Sequence, residues 1–275
     1  MPSPPHATAL PVVLSLACSD PSGGGGNVGA AFSIAAAGAH AACVTTGLSV
    51  RDTRNVERFW PVDVELIDEQ ARAVLEDLPV SAFHVGTLAD ARTAAMVAAL
   101  VADYPSVPVV LDPDFYGGRD DGQIDEDLIG ALCELLLPQC ALFIPNSIEA
   151  RWLADDQESE EPAASRSLAE YAQILLDSGC EHVLITGSHE PTAQVINTLY
   201  GIRGVVRADA WERLPGSFLG AGVTLSTAIA ARLAHGEALA DAVRGAQAYT
   251  WQALANAQQL GMGRRIPDRL PRGES

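Results

Sequence analysis

The feature that most constrains this chain is an alternation. Short apolar runs at 12–17, 41–46, 82–85, 109–112, 142–145 and 182–186 take turns with Ala- and Leu-rich stretches of helical period at 28–37, 66–78, 91–103, 125–136 and 165–177. Strands that are apolar along their whole length need cover on both faces, and strand–helix–strand connections lay such strands side by side in parallel. The expectation is an α/β three-layer sandwich with a mostly parallel central sheet and a ligand crevice at the C-terminal strand ends. Beyond residue 190 the pattern changes to an antiparallel pair, 194–200 and 205–210, followed by helices at 221–233 and 239–260.

The 275 residues are 48% hydrophobic, enough for one large core, and no long polar linker divides them. We expect one domain over 11–262, between an N-terminal extension, 1–10, and a C-terminal tail, 263–275, that adds little to the core. The first ten residues carry no basic start and no long apolar run, so the protein is expected in the cytoplasm and not in a membrane. Acidic stretches at 120–127 and 155–161 read as solvated loops.

A net charge of −18 speaks against nucleic-acid backbones and anionic membranes as partners and leaves a small molecule as the expected ligand. All 17 basic residues are Arg, which excludes a P-loop lysine, a Schiff-base lysine and a lysine general base. The five cysteines form no C-x-x-C pair and read as buried thiols, and buried-core readings suffice for His84 and Trp251.

Two glycine-rich turns stand out. Ser19-Asp20-Pro21-Ser22-Gly23-Gly24-Gly25-Gly26-Asn27 joins an apolar run to a helix, where glycine lets backbone approach a ligand and helix-start N–H groups suit an anion. Gly24, Gly26 and Gly29 also satisfy G-x-G-x-x-G, with Asp52 where a ribose-binding acid falls, but the first glycine comes too late after the strand for a dinucleotide fold. Gly220-Ala221-Gly222-Val223-Thr224-Leu225-Ser226 opens a second helix. Its N–H groups form either an anion cradle for a moving phosphoryl group or a close helix-to-sheet contact.

The order of motifs adds a resemblance. Ser19 to Gly24 resembles the Asp-Pro-Ser-Gly-Gly turn of the hydroxymethylpyrimidine/phosphomethylpyrimidine kinases, ribokinase-like enzymes of thiamine synthesis. Val109-Val110-Leu111-Asp112-Pro113, Pro145-Asn146-Ser147-Ile148-Glu149-Ala150 and Gly220 to Ser226 resemble three further motifs of the same family, in the same order. The resemblance implies ATP across the C-terminal strand ends near Asp112, Thr186 and Thr224, and Mg²⁺ near Asn146 and Glu149, whose hard oxygens suit it. It implies a substrate site at Asp20, Gly23, Gly24 and Arg51, a catalytic cradle at Gly220, Ala221 and Gly222, and a homodimer.

The same comparison exposes departures. The proton-accepting residue of the family falls on Val223, the acidic residue of its first helix on Ala30, its pyrimidine-reading glutamine on Arg51 and its lysine near the phosphates on Thr186. Asp20 is the preferred substitute base, with Asp52 and Asp114 behind it, and Arg51 is expected to pair with an anionic group of the substrate. Three readings follow: an ATP-dependent kinase for hydroxymethylpyrimidine or a similar small alcohol, a pseudokinase or vitamin-precursor binding protein that keeps the pocket, and a dinucleotide-dependent oxidoreductase. Helix capping is the alternative use of Asn146 and Glu149.

Overall fold

A computed structural model describes residues 10–115, 126–154 and 166–270. The acidic stretch 155–161, most of 120–127, and the expected helix starts at 125 and 165 lie outside the described residues.

The apolar runs become β1 (Val12–Ser19), β2 (His40–Arg51), β4 (Val80–Val85), β5 (Val109–Leu111), β6 (Leu142–Phe143) and β7 (His182–Ile185), with β3 (Val56–Pro61), β8 (Gln194–Gly201) and β9 (Gly204–Glu212) added at the margins. They form a nine-stranded sheet in the order β3-β2-β1-β4-β5-β6-β7-β8-β9. The strands from β2 through β7 in that order pair in parallel, while β3, β8 and β9 join antiparallel.

Alternate residues of the central strands feed two separate cores, as the two-residue strand period requires. Leu14, Leu16, Phe83, Val85, Leu111 and Phe143 pack on one face. That face is covered by α2 (Val64–Asp77), α3 (Ala91–Ala102), α4 (Glu126–Ala131), α5 (Ser147–Ala154) and α6 (Leu168–Asp177). Val13, Ala82, Val110, Leu142 and Leu184 pack on the other, beneath α1 (Gly26–Ala36), α7 (Ala221–Ala234) and α8 (Leu239–Ala255). The result is the expected three-layer sandwich, with both glycine turns opening helices of the same layer.

The structure differs from the expectation in four places. Strand β2 runs on to Arg51 and folds back as β3, because Asp52 Oδ1 accepts the N–H groups of Arg54 and Asn55 and closes the turn. The helix expected to 136 is α-helical only to Ala131 and continues as a π-helical turn over Leu132–Leu136. Pro138 offers no N–H to the Glu134 carbonyl, so the ladder loosens before it ends. Helix α8 stops at Ala255 instead of 260.

The fourth concerns the tail. The chain beyond α8 bridges Gln258 to Ile266 and Phe218 to Arg265, and Asp268 N donates to Ala253 O at 2.9 Å. Arg269 is buried. The expectation that residues from 263 onward add little to the core is therefore corrected: through residue 269 they are stitched to the body by backbone pairing and a buried side chain.

Candidate active site

The first glycine turn is organised by Asp20, which is buried at the mouth of β1. Its Oδ1 accepts from Ser22 N at 2.8 Å and Ser22 Oγ at 2.6 Å, and its Oδ2 from Gly25 N at 2.7 Å. Arg51 Nε stands 3.6 Å from Oδ1. Both oxygens of this carboxylate are taken up by the turn that Asp20 organises, and a guanidinium stands beside it, so the expectation that Asp20 serves as the base is corrected. Arg51, expected to face an anion of the substrate, has Asp20 as an ion-pair partner within the protein.

The two glycine turns, far apart in sequence, are in contact. Gly220 is the N-cap of α7 with φ of 80°, and a Cβ placed on it would overlap the Gly24 carbonyl oxygen. Both the left-handed conformation and that closeness demand glycine. The free N–H groups of the first turn of α7 therefore open beside the turn that follows β1.

Thr224, expected at the nucleotide, is instead fully buried. Its hydroxyl donates to Gly220 O at 2.7 Å and accepts from Arg269 Nε at 2.9 Å, which leaves it turned into the fold and away from a ligand. Val223 lines a small pocket with Gly86, Thr87, Asp112 and Asp114. Of the three substitute bases named from the sequence, only Asp114 reaches this pocket; Asp52 is at the tip of the β2–β3 turn.

Asp112 is better placed than any of them. Its Oδ2 accepts from Ser226 Oγ at 2.9 Å, and a Cβ on Gly222 would lie 3.3 Å from that same oxygen, putting the carboxylate against the cradle. Burial, reinforced by the charge of Asp114, raises its pKa to about 7, with the Ser226 hydrogen bond acting the other way. Behind it runs a buried polar chain: Ser226 Oγ to His84 Nε2 at 3.1 Å, His84 Nδ1 to Ser15 Oγ at 2.9 Å, and Ser15 Oγ to Asn27 Oδ1 at 3.0 Å. Asn27 Nδ2 in turn donates to the carbonyls of Ala17 and Val44, pinning the start of α1 to β1 and β2. Burial lowers the His84 pKa to about 3, so its ring is neutral and bridges two hydroxyls. His84 was expected only in the core, and Asn27 and Ser226 only as members of their glycine turns; no local spacing brings such distant positions together with Ser15.

The third cluster lies at the ends of β6 and β7. Asn146 and Thr186 form a parallel bridge, and Thr186 N donates to Pro145 O at 3.0 Å. Asn146 Oδ1 accepts from Ile148 N at 2.9 Å and Glu149 N at 3.0 Å, while Glu149 Oε2 accepts from Asn146 N at 2.8 Å. This is a reciprocal helix cap, the alternative foreseen for these two residues. The amide oxygen of Asn146 has no lone pair left for direct metal ligation. Glu149 is buried, and that burial, helped by the charges of Asp114 and Asp112 and opposed by the hydrogen bond from Asn146 N, raises its carboxyl to about 8. Among the described residues no three His, Cys, Asp or Glu side chains stand close enough to hold a metal ion between them. A magnesium ion that kept most of its waters and was bound mainly by phosphate oxygens would fit these donors.

Among the described residues, no helix is long and apolar enough to cross a membrane. Comparison with known proteins adds the following. The family profile described as phosphomethylpyrimidine kinase matches residues 20–268. The hydroxymethylpyrimidine/phosphomethylpyrimidine kinase of Mycobacterium bovis is 34% identical over 270 residues, covering 96% of this chain and 95% of that protein. The enzyme of the same name from Escherichia coli K12 is 30% identical, covering 92% and 94%. The pyridoxal kinase of Staphylococcus aureus in complex with pyridoxal shares the fold, with a TM-score of 0.84 at 22% identity over 95% of this chain and 94% of that one.

Proposed function

The chain belongs to the phosphomethylpyrimidine kinase family, and on that footing we propose that it is an ATP-dependent kinase that phosphorylates the hydroxymethyl group of hydroxymethylpyrimidine or its phosphate. The observation that carries the reading is the contact of the two glycine turns at Gly24 and Gly220. It brings a substrate turn and an anion cradle to one point at the end of the sheet, with the Asp112 carboxylate beside them. Phosphoryl transfer needs little more than such positioning and electrostatic support.

In this reading the N–H groups of Ala221 and Gly222 hold the moving phosphoryl group. Asp112 takes the proton from the substrate hydroxyl as its oxygen bonds to the terminal phosphorus and ADP leaves. A carboxylate with a pKa of about 7 is matched to that task at neutral pH, and it replaces the proton acceptor that Val223 cannot supply. Glu149, held in place by Asn146 through the cap, would face the water shell of a Mg²⁺ ion bound with ATP, and such an ion would neutralise phosphate charge. Gly23 lets the substrate ring approach the backbone, Gly24 makes room for the Leu219 side chain beneath the turn, and the Asp20–Arg51 pair closes that side of the pocket.

Relatives across most of the chain are named as kinases, which supports turnover over the pseudokinase or binding-protein alternative. The dinucleotide reading loses its acid, since Asp52 serves the β2–β3 turn. A metabolic kinase using cellular ATP works in the cytoplasm. A homodimer would use the β2–β3 edge, where Leu48, Val50 and Trp60 are exposed.

The test is substrate-dependent ADP release. Purified protein with Mg-ATP should release ADP when hydroxymethylpyrimidine is added, with the phosphorylated pyrimidine as the second product. ATP binding without any such release would overturn the kinase reading.

A further inference from the structure

Arg269 is the most deeply engaged cation in the described chain, at 3% exposure. Its Nη2 donates to Gly24 O at 2.5 Å and Gly220 O at 3.1 Å, its Nη1 to Gly23 O at 3.3 Å and its Nε to Thr224 Oγ1 at 2.9 Å. Two of these acceptors belong to the turn after β1 and two to the start of α7. Its own backbone is anchored where Tyr249 of α8 donates to Arg269 O at 2.8 Å. Four of its five N–H donors go to carbonyls and a hydroxyl, which is an unusual way to bury a guanidinium unless those dipoles need fixing.

The stereochemistry gives the arrangement a consequence. In a planar trans peptide the C=O and the following N–H point in opposite directions. A guanidinium that draws the Gly220 carbonyl inward therefore turns the Ala221 N–H outward, toward the cradle. Drawing in Gly24 O does the same for Gly25 N–H, which meets Asp20 Oδ2. Burial lowers the Arg269 pKa to about 10, so the group stays charged at neutral pH, one peptide unit behind the cradle. The chain has no lysine to place beside the phosphates. A planar fork can span four acceptors on two turns, whereas an ammonium cannot reach them all.

We propose that Arg269 is a positioning residue that clamps the α7 cradle to the first glycine turn and sets the cradle N–H groups for the terminal phosphate of the nucleotide. This rests on the kinase reading for the identity of the anion but not for its test. Dissociation constants for AMP-PCP and ADP, each with Mg²⁺, are measured by calorimetry on the full chain and on Arg269→Lys, well below the melting temperature of each.

The expected result is a selective loss: AMP-PCP binding weakens at least tenfold in Arg269→Lys while ADP binding changes by less than threefold. A residue that merely holds the fold together would weaken both alike or neither, and either pattern overturns the proposal. Failure of the unaltered protein to prefer AMP-PCP over ADP overturns it as well. Should Arg269→Lys not fold, Thr224→Val decides, since it keeps the guanidinium and removes one acceptor; the same selectivity, about three- to fivefold, is expected, and an equal effect on both nucleotides counts against the clamp. If the selective loss appears but the parent phosphorylates no hydroxymethylpyrimidine, the kinase reading fails and the clamp stands.

Discussion

Arg51 Nε stands 3.6 Å from Asp20 Oδ1, and the two side chains are only 7% and 1% exposed. At that distance the contact is an ion pair and not a hydrogen bond. Asp20 meanwhile satisfies the backbone of its own turn. Removing the cation would leave a buried carboxylate with its partners reduced, which typically costs about 3–5 kcal/mol. Arg51→Ala should therefore lower the melting temperature by roughly ten degrees and raise the KM for the pyrimidine more than that for ATP. Thermal unfolding beside two-substrate kinetics measures both, and an unchanged melting temperature would show that the pair contributes nothing to the turn.

Asp112 and Val223 share the pocket, but only Asp112 can accept a proton. Asp112→Asn keeps the shape and an acceptor for Ser226 while abolishing the base. General-base loss lowers kcat by about 10²- to 10⁴-fold. Val223→Cys, which restores the residue type of the family, should change kcat less than about tenfold, because the role is already filled. Steady-state rates on the two variants separate the cases; a large gain in Val223→Cys with little loss in Asp112→Asn would reverse the assignment.

The same carboxylate makes stability depend on pH. The folded-state pKa of Asp112, about 7, lies above that of an ordinary aspartate, so the fold favours its protonated form. That contribution is complete below about pH 4, the ordinary aspartate range, and is lost as pH rises through about 7. Asp112→Asn cannot ionise, so its melting temperature relative to the parent should rise by several degrees between pH 5 and pH 8 in nucleotide-free protein. A difference that is flat with pH would mean that the Asp112 carboxyl is not held protonated.

Gly220 and Gly236 both have φ near 80°, yet their surroundings differ. A Cβ on Gly236 meets nothing within 4 Å, whereas one on Gly220 collides with Gly24 O and with Arg269 Nη2. Gly236→Ala should carry only the left-handed strain, about 1–2 kcal/mol. Gly220→Ala must also part the two turns, and should cost more than twice that and abolish nucleotide binding. Denaturant unfolding of both variants gives the comparison, and equal losses would mean that the turns are free to separate.

Much of the architecture was legible in the order of residues. A strand buried on both faces has to be apolar along its whole length, and a helix laid on it has to be apolar at its own period, so the layers of β1, α1, β4, α3 and β5 were written in local pattern. The glycine turns were legible for a related reason, since backbone that must approach other backbone excludes side chains. Strand β3 escaped because an edge strand bears half-exposed, mixed residues such as Glu57, Arg58 and Trp60, which carry no strong period.

What the chain could not disclose is which polar groups end up sharing one another. Asp20 looked like a free carboxylate and is spent on Ser22, Gly25 and Arg51. Thr224 looked like a ligand contact and is spent on Gly220 and Arg269. Asp112 acquired its proton affinity from burial, and Arg269 acquired its place from a tail that folds back onto Phe218 and Gln258. Periodicity and steric exclusion act between neighbours in sequence and so are recorded there; desolvation and hydrogen-bond satisfaction depend on what lies across space, and only the folded chain decides them.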